Sequence, residues 1–209
     1  MFRGRGGRVS EDVSTTRDEL VNAAAHVFAR DGYARATVDR VCDLAGVTKG
    51  ALYGHFTSKA ELAVAVVEQD AVELERARER LQWRHADPLQ VLVDLGHLVH
   101  GGDRVAGRLV YRAPVCDEVA GELVAWWTRT ARDLLLSASY RGQLHAGVDL
   151  DRAARGVVTS LVGTQLMAQA TGSGAEERVA AVWRDWLPRV APAETVRRLR
   201  LTAPRPDRR

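Results

Sequence analysis

A chain of 209 residues, 46% of them hydrophobic, can bury a sizeable core in one or two domains. No apolar run approaches the roughly 18 residues of a membrane span, and the basic leader MFRGRGGRVSEDVS lacks the apolar segment of a signal peptide, so a cytoplasmic location is expected. The net charge of +3 is uneven, because residues 1–59 hold nine basic and seven acidic side chains, 60–188 fourteen and eighteen, and 189–209 seven and two. Overall basicity therefore says little about nucleic acid.

Taken in chain order, residues 1–13 are rich in Gly and Arg and read as a disordered arm, a solvated leader being favoured over a specific minor-groove role. A first helix is expected over about 15–30, capped by Ser14, with Leu20, Ala23, Ala24, Val27 and Phe28 on one face and Gly32 as its stop. Residues 37–56, TVDRVCDLAGVTKGALYGHF, then offer a start at Thr37, apolar residues at Val38, Val41, Leu44 and Ala45, a stop at Gly46 and a second start at Thr48. Helix, tight turn and short helix outline a helix-turn-helix, whose second helix enters a DNA major groove. Gly50 and Gly54 each cost that second helix roughly 1 kcal/mol relative to Ala. Close approach of the backbone to another surface would favour them, and a seven-residue helix spans roughly 10 Å, comparable with a groove about 12 Å wide. A surface helical hairpin is the alternative. Of the 30 basic residues the only lysines are Lys49 and Lys59, both in or just after this unit.

Ser58 can cap a long helix from Lys59 to about Arg84, with Glu61 completing a capping box. A helix is expected from Pro88 to about His100, a short one from Asp103 to about Ala113, and a long one from Asp117 to about Arg141. Residues 151–170 are apolar around much of their circumference, and 175–187 repeat apolar residues at helical spacing. Val158, Val162, Val179, Val182, Trp183 and Trp186 from these two segments are candidates for a self-complementary subunit interface, with an intramolecular core as the alternative. A short basic helix within 192–202 precedes a tail at 203–209 expected to be disordered. Cys42 and Cys116 are far apart without CxxC spacing and read as structural thiols.

The segment 15–69, and within it VTKGALYGHFTSKAELA at 47–63, resembles the DNA-binding domain of the TetR family of repressors. Trp127, Gly142 in GQLHAGVDLDRAA, VGTQLMA at 162–168 and RVAAVWRDWLPRV at 178–190 resemble the γ-butyrolactone autoregulator receptors of actinomycetes, a branch that includes pseudo-receptors and regulates secondary metabolism and antibiotic biosynthesis. The resemblance implies an all-α chain with a helix-turn-helix domain at 14–60 and a helical ligand-binding and dimerisation domain at 61–202. Its partners would be a palindromic DNA operator, a second copy and a small effector, with no membrane and no cofactor.

Carried over from the family, groove contacts fall to Thr48, Lys49, Gly50, Ala51 and Tyr53, with His55 at the far end. Phosphate contacts fall to Arg17, Thr37 and Lys59, the last two at helix N-termini, where free N–H groups favour anions. Tyr53 has packing on Phe56 as a second reading, and Gly54 stands where this branch often has an aromatic residue. Trp127 corresponds to the branch's effector-pocket tryptophan, although adjacent Trp126 leaves the register open. Leu109, Val110, Leu161 and Gln165 are weaker lining candidates. A pseudo-receptor or architectural regulator without a lactone ligand is the alternative function. No catalytic or nucleotide-binding signature is present, and His97 and His100, three apart on one helix, lack a third ligand at metal-site spacing.

Overall fold

The computed structural model describes residues 8–100, 117–171 and 175–204. Nine helices are described: α1 (Arg8–Asp31), α2 (Val38–Ala45), α3 (Lys49–His55), α4 (Lys59–Arg84), α5 (Pro88–His100), α6 (Asp117–Tyr140), α7 (Leu150–Thr171), α8 (Ala175–Val190) and α9 (Ala193–Arg198). No strand occurs among the described residues. The expected helix at 103–113 and Cys116 lie outside them.

Local chemistry sets the boundaries of the N-terminal unit. Thr37 accepts a hydrogen bond from the Arg40 amide at 3.4 Å, and α2 ends where Gly46 turns left-handed at φ 68°. There the Gly46 and Val47 amides donate to the Asp43 and Cys42 carbonyls, the paired bonds of a Schellman motif. Thr48 caps α3 by accepting from the Ala51 amide at 3.2 Å. Ser58 caps α4 through the Glu61 amide at 3.1 Å, but the Glu61 carboxylate reaches Thr57 instead of the expected Ser58, accepting from its amide and hydroxyl at 2.6 and 2.7 Å. The α1 helix begins at Arg8, several residues before the expected start, so Ser14 lies within it and not at its cap. The glycine run ends at Gly7, and no Gly or Pro interrupts residues 8–31, leaving no breaker where the arm was expected.

Leu20, Ala24, Val27 and Phe28 of α1 pack with Val41 and Cys42, Leu52, Phe56 and Leu62 in one buried core. From there α4 runs on to the C-terminal helices and contacts both α5 and α6. Nearly every residue of α5 is buried. Its polar side chains clasp the segment after α9. Gln90 donates to the Asp94 carboxylate at 2.8 Å and to the Arg200 carbonyl at 3.0 Å, and the Arg200 amide donates back to Gln90 at 2.8 Å. The Arg200 guanidinium donates to fully buried Asp94 at 2.9 and 3.0 Å, His85 Nε2 lies 3.1 Å from the same carboxylate, and His97 Nε2 donates to the Leu201 carbonyl at 2.8 Å.

Four of the six subunit-interface candidates follow the alternative reading, an intramolecular core. Val158, Val179, Trp183 and Trp186 are buried within the single protomer, while Val162 and Val182 are partly buried against the same core. The cause is α5, because a Cβ on Gly96 would lie 2.4 Å from Cζ2 of Trp183. The missing side chain lets that indole lie against the helix, and Trp186 packs edge-on to it at 5.9 Å. Large apolar residues left outside on α7 are Leu166 and Met167.

Candidate functional site

The α3 helix presents Thr48, Lys49, Gly50, Tyr53 and Gly54 to solvent, half-buries Ala51 and His55, and turns Leu52 and Phe56 inward. Tyr53 is 54% exposed. A Cβ on Gly50 would meet only Thr48 Oγ1, at 3.8 Å, and one on Gly54 would meet nothing within 4 Å. No contact among the described residues therefore demands either glycine.

The nearby cations are held in different ways. Lys49 Nζ lies 2.6 Å from the Asp39 carboxylate of α2, whose hydrogen bond and charge push the lysine's pKa up. Arg17 is exposed and lays its guanidinium over Phe56, 5.3 Å from the ring centroid. Thr37 is exposed at the entrance of α2. Lys59, expected at a phosphate, turns inward. Its ammonium donates to the Ala36 carbonyl at 2.8 Å and sits 4.3 Å above the Tyr33 ring, and burial pushes its pKa down. A flexible four-carbon stem can fold back to an aromatic face and a carbonyl just before α2, so the side chain braces the unit.

In the C-terminal helices the two adjacent tryptophans part company. Trp126 is half-buried beside a groove of about 390 Å³ that Val67, Ala71, Leu123 and Arg129 also line. Its Nε1 donates to Glu75 of α4 at 3.0 Å. Arg78 chiefly, with the Trp126 bond adding to it, holds the Glu75 carboxyl below its usual range. Trp127 is 2% exposed, stacks on Trp126 with centroids 6.1 Å apart and faces His100 at 6.4 Å. Leu161 and Gln165 are buried; Leu109 and Val110 lie outside the described residues. His100 is the member that sequence reasoning missed. The available signal was a polar series, Gln90, Asp94, His97 and His100, on an otherwise apolar helix.

The family described as bacterial regulatory proteins, tetR family, matches residues 20–66. The chain is 35% identical over 185 residues to the A-factor receptor protein of Streptomyces griseus, a match spanning 82% of this chain and 62% of that receptor's length. A solved gamma-butyrolactone receptor (ArpA-like protein) superposes with a TM-score of 0.70 at 30% identity, covering 90% of this chain and 94% of its own. TylP, a TetR regulator from Streptomyces fradiae, does so at 0.69 and 32%, covering 93% and 87%.

Proposed function

Because the chain belongs to the TetR family of bacterial regulatory proteins, we propose that it is a repressor that binds a palindromic operator as a dimer and is released by a small effector. The observation that carries this reading is α3 itself, a capped helix whose outward face holds a lysine, a tyrosine and two glycines that no contact among the described residues requires. In this reading Thr48, Lys49, Gly50, Ala51 and Tyr53 enter the groove, while Arg17, Thr37 and His55 address its edges and phosphates. Lys59 serves as the strut that holds α2 and α4 in register. One short helix reads too few base pairs for useful specificity, and a two-fold dimer doubles them. Exposed Leu166 and Met167 on α7 support that face as the contact with a second copy.

The effector is a gamma-butyrolactone-like or other secondary metabolite seated at Trp127. The A-factor receptor protein and the solved gamma-butyrolactone receptor support this choice. Its signal passes from α6 to α4 through the Trp126–Glu75 hydrogen bond, and α4 carries the displacement to the helix-turn-helix as a tilt. To move the population from one in a hundred released to ninety-nine, the effector must favour the released form by about 5.5 kcal/mol. An architectural protein without a ligand would have no use for unpaired polar atoms in its C-terminal core, whereas Trp127 and Gln165 supply them. Gel shift on DNA upstream of the protein's own gene tests the reading. Saturable, sequence-selective binding is expected, and weak binding indifferent to sequence would refute it.

A further inference from the structure

An ion pair bridges the two helices of the DNA-reading unit. Lys49 Nζ, on the first residue of α3, lies 2.6 Å from Oδ1 of Asp39 in the first turn of α2, and the two side chains are 60% and 58% exposed. Neighbouring Arg40 pairs instead with Asp31, at 3.0 Å. Fold stability gives the Asp39 carboxylate only a minor reason to be there. It suits the dipole of α2, but Thr37 already caps that helix, and an ion pair this exposed contributes little. On a surface that meets DNA an acid also repels the phosphates, so Lys49 alone would serve a phosphate better than Lys49 with Asp39 attached.

We infer that Asp39 is a base-reading residue, and that it and Lys49 together read one G·C pair in each half-site, the lysine on guanine and the carboxylate on cytosine. This rests on the repressor reading above and deepens it. In the major groove a G·C pair presents guanine O6 as an acceptor and cytosine N4 as a donor. Those two atoms are hydrogen-bonded to each other, so they lie about 3 Å apart, close to the 2.6 Å between Lys49 and Asp39. The ammonium can then face O6 while the carboxylate faces N4, and the ion pair need not separate to do so. Guanine N7 gives the ammonium a second acceptor beside O6. An A·T pair gives it a single one, adenine N7 or thymine O4, whichever way the pair is read. Turned round, a C·G pair sets its amino group against the ammonium and O6 against the carboxylate, so the order of the two bases is fixed as well.

Selection from a random-sequence duplex library, run on the wild type, Asp39→Asn and Lys49→Met, tests this. The wild type is expected to enrich a palindrome with one G·C pair per half-site whose preference is weakened in Asp39→Asn and lost in Lys49→Met, every other position being kept. At that pair, anisotropy titration of the wild type should favour G·C over A·T and over C·G by roughly tenfold or more. Asp39→Asn should cut that ratio by roughly threefold or more, the loss of one hydrogen bond. Replacing the guanine by 7-deazaguanine removes N7 alone, so it should weaken the wild type and leave the affinity of Lys49→Met unchanged. Asp39→Ser repeats the comparison should Asp39→Asn not fold. Unchanged base preference in Asp39→Asn, with affinity shifted uniformly, would mark a structural or phosphate-steering acid and overturn the inference. So would changes at different positions in the two variants, or A·T or C·G at the shared position. A wild type that enriches no motif would refute the repressor reading and this assignment with it, whereas a motif indifferent to Asp39 refutes this assignment alone.

Discussion

Replacing Gly50 or Gly54 by alanine should make the protein more stable and a poorer binder of its operator. In the free protein a methyl group at Gly50 would rest 3.8 Å from Thr48 Oγ1, an ordinary contact, and at Gly54 it would enter open space. Neither glycine has a left-handed φ, since the positive-φ glycines are Gly32, Gly46, Gly142 and Gly147. What remains is helix propensity, worth about 0.5–1 kcal/mol for each replacement. For a chain of this size that raises the melting temperature by about 2–4 °C per kcal/mol, if the helix-turn-helix melts with the rest. On DNA the sign reverses. Gly50 and Gly54 are four apart and share a helix face, so either methyl would push the backbone from the groove floor. Losing one good base contact costs about 1–3 kcal/mol, or roughly tenfold in affinity. Scanning calorimetry of the free protein and fluorescence anisotropy with labelled operator at one fixed salt concentration measure the two effects. Unchanged operator affinity alongside a raised melting temperature would refute the reasoning, because glycine would then have no reason within or outside the chain. A lowered melting temperature would refute it from the other side.

Lys59→Met should lower the melting temperature by removing the bond to Ala36 while leaving the slope of log affinity against log salt unchanged; a slope flattened by about one per half-site would restore the phosphate role. Asp39→Asn should free Lys49, tighten binding to unrelated DNA more than to operator and steepen the salt dependence, and unchanged non-specific binding in competition gel shifts would contradict it. The His100 pKa is lowered from 6.5 to about 4, so its stability contribution is complete above pH 6.5 and lost as the pH falls toward 4. Between pH 7 and 5 the wild type should therefore lose about 2 kcal/mol more than His100→Phe in denaturant titrations, and parallel losses would show that the ring is not held neutral. Gly96→Ala should destabilise by about 1–3 kcal/mol through overpacking despite its helix propensity, because its Cβ would meet Trp183 at 2.4 Å; a thermal melt at or above the wild-type temperature would be inconsistent with that contact.

The helix-turn-helix was legible because its signals are local. Thr37, Thr48 and Ser58 each announce a helix within three residues of the amide they cap, and Gly46 ends α2 through its own backbone angle. The start of α1 was misread because composition suggested disorder, while helix continuation needs only the absence of a breaker. The fate of Trp183 could not be read at all. An apolar stripe declares that it will be covered, not by what, and its cover is Gly96 on a helix far away in sequence. Lys59 failed for a related reason, since a position at a helix N-terminus does not reveal that Tyr33 and Ala36 lie within reach. Helical spacing alone leaves open which of Trp126 and Trp127 turns inward; the structure separates them by burying Trp127 and giving Trp126 a partner on α4.

The clasp between α5 and the segment after α9 bears on the order in which the protein can be made. Asp94 is fully buried, and its guanidinium partner lies 106 residues downstream. Until Arg200 has left the ribosome, packing α5 would enclose a carboxylate that lacks its principal counter-charge, and breaking such a pair typically costs about 3–5 kcal/mol. The N-terminal helices carry no such debt, because Asp31 and Asp39 meet their counter-charges Arg40 and Lys49 within the same unit. Synthesis should therefore yield a folded DNA-reading unit well before the effector domain closes. Limited proteolysis of ribosome-arrested chains carrying a C-terminal linker would show this as protection of residues 20–66 at arrest near 130, with α5 still cleavable until the linker is long enough for Arg200 to clear the exit tunnel and protected after that.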